Sequence, residues 1–178
     1  QLPDPLLYPL PWIAAAVASG ATSVRVETQP WRTVVSFDGR PWTAEELADP
    51  YRFLFDSGEE GDRNRELAVG ILSALRLKPR RIEVRAINDG RETVLKLASP
   101  YDEEVGPGEE HLRERRETVI EILWNPDEKG PYFQAETLTP LLAHCPIPLL
   151  LNDVVWDFPR HGWDPDASIK FLTGRISG

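Results

Sequence analysis

Methionine is absent from this 178-residue chain, and cysteine occurs once, as Cys145. A single cysteine excludes an internal disulfide and leaves a cytoplasmic setting as the expected one. Histidine is nearly as scarce. His111, His144 and His161, even taken with Cys145, match no zinc-ligand spacing, so no metal site is expected. No apolar run approaches 18 residues and no basic-then-apolar leader opens the chain, so no membrane partner is expected. Positive charge is also in deficit, with 20 Lys and Arg against 29 Asp and Glu, a formal net charge of −9. That balance argues against nucleic acid held by a general positive field. Two local clusters run against it, Lys78-Pro79-Arg80-Arg81 and Arg113-Glu114-Arg115-Arg116, and both read first as solvated helix ends or strand edges. Ser57-Gly58 and Ser73 lack the context of a nucleophile elbow. With Gln1 first and no methionine, the chain is expected to be a piece of a longer polypeptide.

What is present is ordinary for a globular domain: 41% apolar and 28% charged residues. Seventeen prolines punctuate the chain, and residues 1–11 are expected to run extended into a first helix with Pro11 in its opening turn. Trp12 to Ser19 is alanine-rich and helical, and Gly20 stops it. Val24, Val26, Val34 and Val35 mark two strands about a turn at Gln29-Pro30. Thr43 and Glu46 form a capping box for a short helix that Pro50 ends. Residues 56–62 read as a polar loop, and Arg63 to Leu77 as an amphipathic packing helix. Strands follow near Ile82–Ile87 and Thr93–Leu97, with a turn at Asn88-Asp89-Gly90, and again at Thr118–Trp124. Phe133–His144 reads as a helix, Ile147–Leu151 and Val154–Phe158 as strands. Trp12, Trp31, Trp42 and Trp124 are expected in the core, whereas Trp156 and Trp163 are hard to place. This order implies a two-layer α/β sandwich with a mixed, mostly antiparallel sheet and helices on one face. The domain is expected to span residues 1–158, with 159–178 a tail or the start of a further module.

Three segments carry more than local structure: Ser19-Gly20-Ala21-Thr22-Ser23-Val24, Phe37-Asp38-Gly39-Arg40-Pro41-Trp42-Thr43-Ala44-Glu45-Glu46-Leu47, and Ala68-Val69-Gly70-Ile71-Leu72. In order and spacing they resemble the GHKL superfamily of gyrase, the large heat-shock chaperones, histidine kinases and the MutL proteins. Glu117-Thr118-Val119-Ile120-Glu121-Ile122 is similar to that superfamily's Gly-Thr-x-Ile-x-Leu strand, and Phe133 to Leu151 to its closing helix and strand. The resemblance covers roughly residues 10–155 and implies the same sandwich.

The positions that the resemblance assigns to chemistry are mostly lost. The water-activating glutamate falls at Pro11, the magnesium-ligating asparagine at Ala15 and the following aspartate at Ala18, and none of these can take a proton or bind a hard cation. The adenine-reading aspartate falls at Phe37, which is expected to lie buried where the base would sit. The glycine-rich loop maps to Arg65, Ala68 and Gly70, keeping one glycine where close backbone approach needs three. Asp38, Gly39, Gly70 and Thr118 survive as the candidate cofactor-contacting residues. Asp38-Gly39 also reads simply as a turn. No catalytic residue and no cofactor are expected. The resemblance implies a pseudo-ATPase that acts as a protein-binding or regulatory scaffold with a protein partner, and a homodimer fits as well. Its alternatives are a chaperone-like domain that binds ATP and magnesium, and an emptied pocket that takes another small ligand. Ser99 to Glu110 stands where the superfamily has a mobile lid, and is expected to be a mobile surface loop.

Overall fold

In the computed structural model, residues 4–55, 59–110, 115–125, 138–142 and 145–156 are described. Two-residue alternation of apolar side chains builds the sheet. The strands are β1 (Val24–Gln29), β2 (Arg32–Phe37), β3 (Arg81–Asn88), β4 (Arg91–Ser99), β5 (Asp102–Pro107), β6 (Arg116–Leu123), β7 (Leu149–Leu151) and β8 (Val154–Trp156). They lie in the order β5-β4-β3-β6-β2-β1-β7-β8. Every pairing is antiparallel except that of β1 with β7, so the sheet is mixed and mostly antiparallel as expected.

One row of residues shows how register makes the core. Leu151, Val26, Val35, Ile120, Val84 and Leu95 are successive partners across six strands, and all six are buried. Because side chains alternate between faces, a one-residue slip in any of these strands would turn its apolar set outward. Each fully buried Val, Leu or Ile contributes about 1.5–3 kcal/mol relative to exposure, which holds the register. On the other face the central strands carry charge. Glu83 and Glu121 sit opposite each other on β3 and β6, both nearly buried; Arg85 bridges the two, while Arg81 pairs with Glu83 and Arg32 with Glu121.

Helices α1 (Pro9–Ala18), α2 (Ala44–Ala48) and α3 (Glu59–Leu75) complete the architecture. Trp12, Ile13 and Ala16 of α1 and Leu67, Ile71 and Ala74 of α3 join the core face of the sheet in one cluster. A 3-10 turn at Pro5–Leu7, capped by Asp4, precedes α1, so the entry is more ordered than the expected extended run. Gly20, at φ 73°, ends α1 in a Schellman turn: Ala21 N–H donates to Ala16 O and Gly20 N–H to Val17 O.

Three expectations need correcting. Residues 59–62 belong to α3 rather than to a loop, since an acid-rich start suits the positive end of the helix dipole despite its glycines. Residues 99–110 are not a loop throughout. Asp102–Pro107 pairs with β4 as an edge strand, Leu95 facing Val105, and Val105 packs against the core while Asp102, Glu103 and Glu104 are exposed. Trp31 is 57% exposed in the β1–β2 turn, whereas Trp12, Trp42 and Trp124 are buried. Of the expected helix Phe133–His144, a 3-10 turn at Thr139–Leu142 is described, and residues 133–137, 143 and 144 lie outside the described residues. So do residues 157–178, the three histidines and Trp163.

Candidate functional site

The Asp38-Gly39 turn follows β2 and meets the end of α1. The Asp38 carboxylate accepts from Thr22 N–H at 2.8 Å, from the Thr22 hydroxyl at 2.6 Å and from Ser23 N–H at 3.4 Å. Partial burial works to raise its pKa, but the Thr22 and Ser23 donors outweigh it and hold the carboxyl below its ordinary value. Gly39 sits at φ 107°, and a Cβ there would lie 2.7 Å from Ser19 O. Arg40 N–H donates to that same carbonyl at 2.9 Å. Asp38 and Gly39 therefore clamp the turn that ends α1.

Gly70 lies elsewhere, in the middle of α3 where α1 crosses it. A Cβ on Gly70 would meet the Trp12 indole, 2.5 Å from Cδ1 and 2.8 Å from Cε2. The indole is fully buried, and its N–H donates to Leu67 O at 3.3 Å. The glycine is thus the seat of a tryptophan. Residues 65–70 are continuous helix, with Ala68 buried and Arg65 paired to Asp62 at 2.6 Å. Of the three α1 positions, Pro11 and Ala15 are buried and Ala18 is exposed. Among the described residues, no group of three His, Cys, Asp or Glu is arranged to hold a metal ion.

Thr118 is buried on β6 with Phe37 of β2 on one side and Ala86 of β3 on the other. Phe37 is 4% exposed, as expected, and its ring meets that of Trp42 edge-on at 6.0 Å. Of the four candidate residues, Asp38 and Gly39 share a turn and Thr118 pairs with the neighbouring Phe37, while Gly70 is held in the helical layer.

Sequence reasoning missed the role of Glu46, which it identified only as half of a capping box. Both capping-box bonds are present: Glu46 N–H donates to the Thr43 hydroxyl, and Thr43 N–H to the Glu46 carboxylate. That carboxylate also receives Arg63 at 2.6 Å, Arg40 at 3.2 Å and Asn64 at 3.4 Å. Burial pushes its pKa up, but Thr43 N–H and the Arg63 charge more than compensate and bring it down. Arg63 lies 4.5 Å from the Trp42 ring centre and donates to Arg40 O at 2.7 Å, while Trp42 N–H donates to Asn64 at 2.6 Å. The only sequence signal for this junction was the Thr43–Glu46 spacing.

A crystal structure of the 43K ATPase domain of Thermus thermophilus gyrase B, in complex with an aminocoumarin, is similar over 85% of this chain, with a TM-score of 0.58 and 14% sequence identity. The fold is GHKL-like. The similarity takes in 44% of the gyrase chain, so this chain corresponds to less than half of that structure. No protein-family profile and no curated protein sequence matches the chain. At this identity the likeness carries the GHKL fold alone. Among the described residues no helix is long and apolar enough to cross a membrane.

Proposed function

We propose that this GHKL-like domain works without nucleotide hydrolysis, as a protein-binding or regulatory module inside the cell. The observation that carries this reading is the α1–α3 crossing. At the positions where the superfamily places a base, a metal ligand and an acid, α1 carries Pro11, Ala15 and Ala18, and its Trp12 is buried against Gly70. None of those side chains can move a proton or coordinate magnesium. An apolar helix face locked onto α3 also supports the reading, because phosphate binding needs open backbone amides. Asp38, Gly39 and Thr118 then act as parts of the scaffold. The net charge of −9 favours a protein partner over nucleic acid.

Thermal unfolding with and without Mg-ATP tests this directly. A ligand at about 100 times its dissociation constant stabilises by roughly 2.7 kcal/mol, and no such rise is expected. A rise with Mg-ATP that magnesium alone does not give would instead favour a nucleotide-binding domain.

A further inference from the structure

β5 is the last strand on its side of the sheet, and among the described residues no strand pairs with its outer edge. The register fixes which backbone groups lie there. Gly108 N–H donates to Glu92 O at 2.8 Å, and the next pair along is Pro107 with Thr93. Bonded and non-bonded pairs alternate along an antiparallel ladder. Glu104 and Gly106 therefore bond to β4, while the backbone N–H and C=O of Glu103 and Val105 point outward. Pro107 adds only a carbonyl on that side.

The side chains on this edge are acidic and not neutralised. Asp102, Glu103 and Glu104 are exposed, and neither they nor Asp49, which caps the end of α2, form an ion pair among the described residues. The cation in register with them is Lys96, opposite Glu104 and on the other face of the strand from Val105. Glu103 shares the face of Val105. Its carboxyl is pushed up by partial burial and then by the negative charge of Asp49. Tyr51 is close enough for the Glu103 charge to reinforce burial in pushing its phenol up to about 12, and the phenol oxygen is buried without a hydrogen-bond partner. Two acids without a counter-charge thus meet beside an open backbone edge. Tyr101, 96% exposed, stands at the head of the strand.

We propose that the outer edge of β5 docks an extended basic segment of a protein partner, which joins the sheet as a further strand. The inference rests on the protein-binding reading above and gives the partner a conformation and a charge. Main-chain bonds to Glu103 and Val105 attach the strand, and its side chains select it. The partner residue beside Val105 is apolar, and the one two positions away, on the same face, is a lysine or arginine that meets Glu103. Tyr101 offers a ring face to a second cation. The net charge of −9 draws such a segment in. A second copy of the chain fits poorly, because pairing β5 with β5 sets acids against acids, and like charges directly opposite destabilise a strand pair. The acids that keep this edge from pairing with its own kind become the selector for a basic strand.

The test uses a fluorescein-labelled peptide of about eight residues, enough at about 3.4 Å per residue to run the length of β5. Thr alternates in it with Lys, save for one central Val in place of a Lys. Anisotropy should show saturable binding that weakens about tenfold or more between about 50 and 300 mM salt. The same peptide N-methylated at every amide keeps its charge, loses every donor and should not bind. Glu103→Lys should weaken binding at least about tenfold by reversing the charge. Val105→Pro removes an outward N–H and spares the ladder to β4, so it should weaken binding too. Circular dichroism confirms that each variant is folded, and Glu27→Gln on β1 should leave binding unchanged. The proposal is overturned if the peptide does not bind, if the methylated peptide binds equally well, or if Glu103→Lys and Val105→Pro both bind normally. A dimer that Val105→Pro dissociates would overturn it as well, by making a second copy the occupant. Failure of peptide binding without any effect of Mg-ATP removes the docking edge alone. Stabilisation by Mg-ATP removes the nucleotide-independent reading itself.

Discussion

Replacing Gly70 with alanine separates a phosphate-contacting glycine from a packing one. In a helix interior, alanine is ordinarily favoured over glycine by about 1 kcal/mol. Here the new methyl would press on the buried Trp12 indole, which has no open side to retreat to. Overpacking of a core site costs about 1–3 kcal/mol. Loss of the indole bond to Leu67 O adds about 1 kcal/mol. Taking about 2 kcal/mol for the overpacking and offsetting the helix gain, the net destabilisation is about 2 kcal/mol. For a domain of this size that lowers Tm by roughly 4–8 °C. Urea unfolding followed by tryptophan fluorescence measures it, and Trp12→Leu supplies the cycle. In the Trp12→Leu background Gly70→Ala should cost far less, because the group it collides with is gone. A stabilising Gly70→Ala in the otherwise unchanged protein would refute the reasoning.

Phe37→Asp would place a carboxylate beside Trp42 and Thr118, and should destabilise the domain by about 2–4 kcal/mol in urea unfolding. A neutral result would mean that water reaches the site. Glu66 of α3 is nearly buried, and its pKa is pushed up to about 7 by burial, with the Arg65 charge opposing and Asp62 reinforcing. A raised folded-state pKa means that stability is fully present below the unfolded value of about 4.3 and is lost as pH rises through the folded one. Glu66→Gln should therefore raise Tm at pH near 8 and change it little near pH 5. Equal effects at both pH values would rule out this account.

What could be read from the sequence was what neighbouring residues decide. Asn88-Asp89-Gly90 gave the β3–β4 hairpin, and Asp89 and Gly90 adopt positive φ there as such turns require. Thr43 and Glu46 gave a helix start whose two capping bonds both form. Valine and isoleucine alternation gave the central strands. The edge strand β5 was hidden because its composition is that of a loop; its backbone pairs along β4, and Val105 beside Leu95 is its one aliphatic contact with the core. Gly70 was legible as an unusual helix residue but not as the seat of Trp12, which comes from a distant segment. Of the candidate site, then, the sequence showed which residue types were present, and the fold supplied their neighbours.

The parallel pairing of β1 with β7 has a consequence for how the chain reaches its native state. β1 and β2 emerge early in synthesis as a hairpin, yet β2 needs β6, and β1 needs Leu149–Leu151 near the far end of the domain. Until those residues leave the ribosome, the hairpin has two unsatisfied flanks and its valines have no sheet to join. Such long-range closure slows folding and leaves nascent strands open to wrong partners. A chain cut before Leu149 would keep that vulnerability permanently, with β1 as a bare apolar edge. A premature stop upstream of Leu149 should therefore yield aggregate instead of a smaller folded unit.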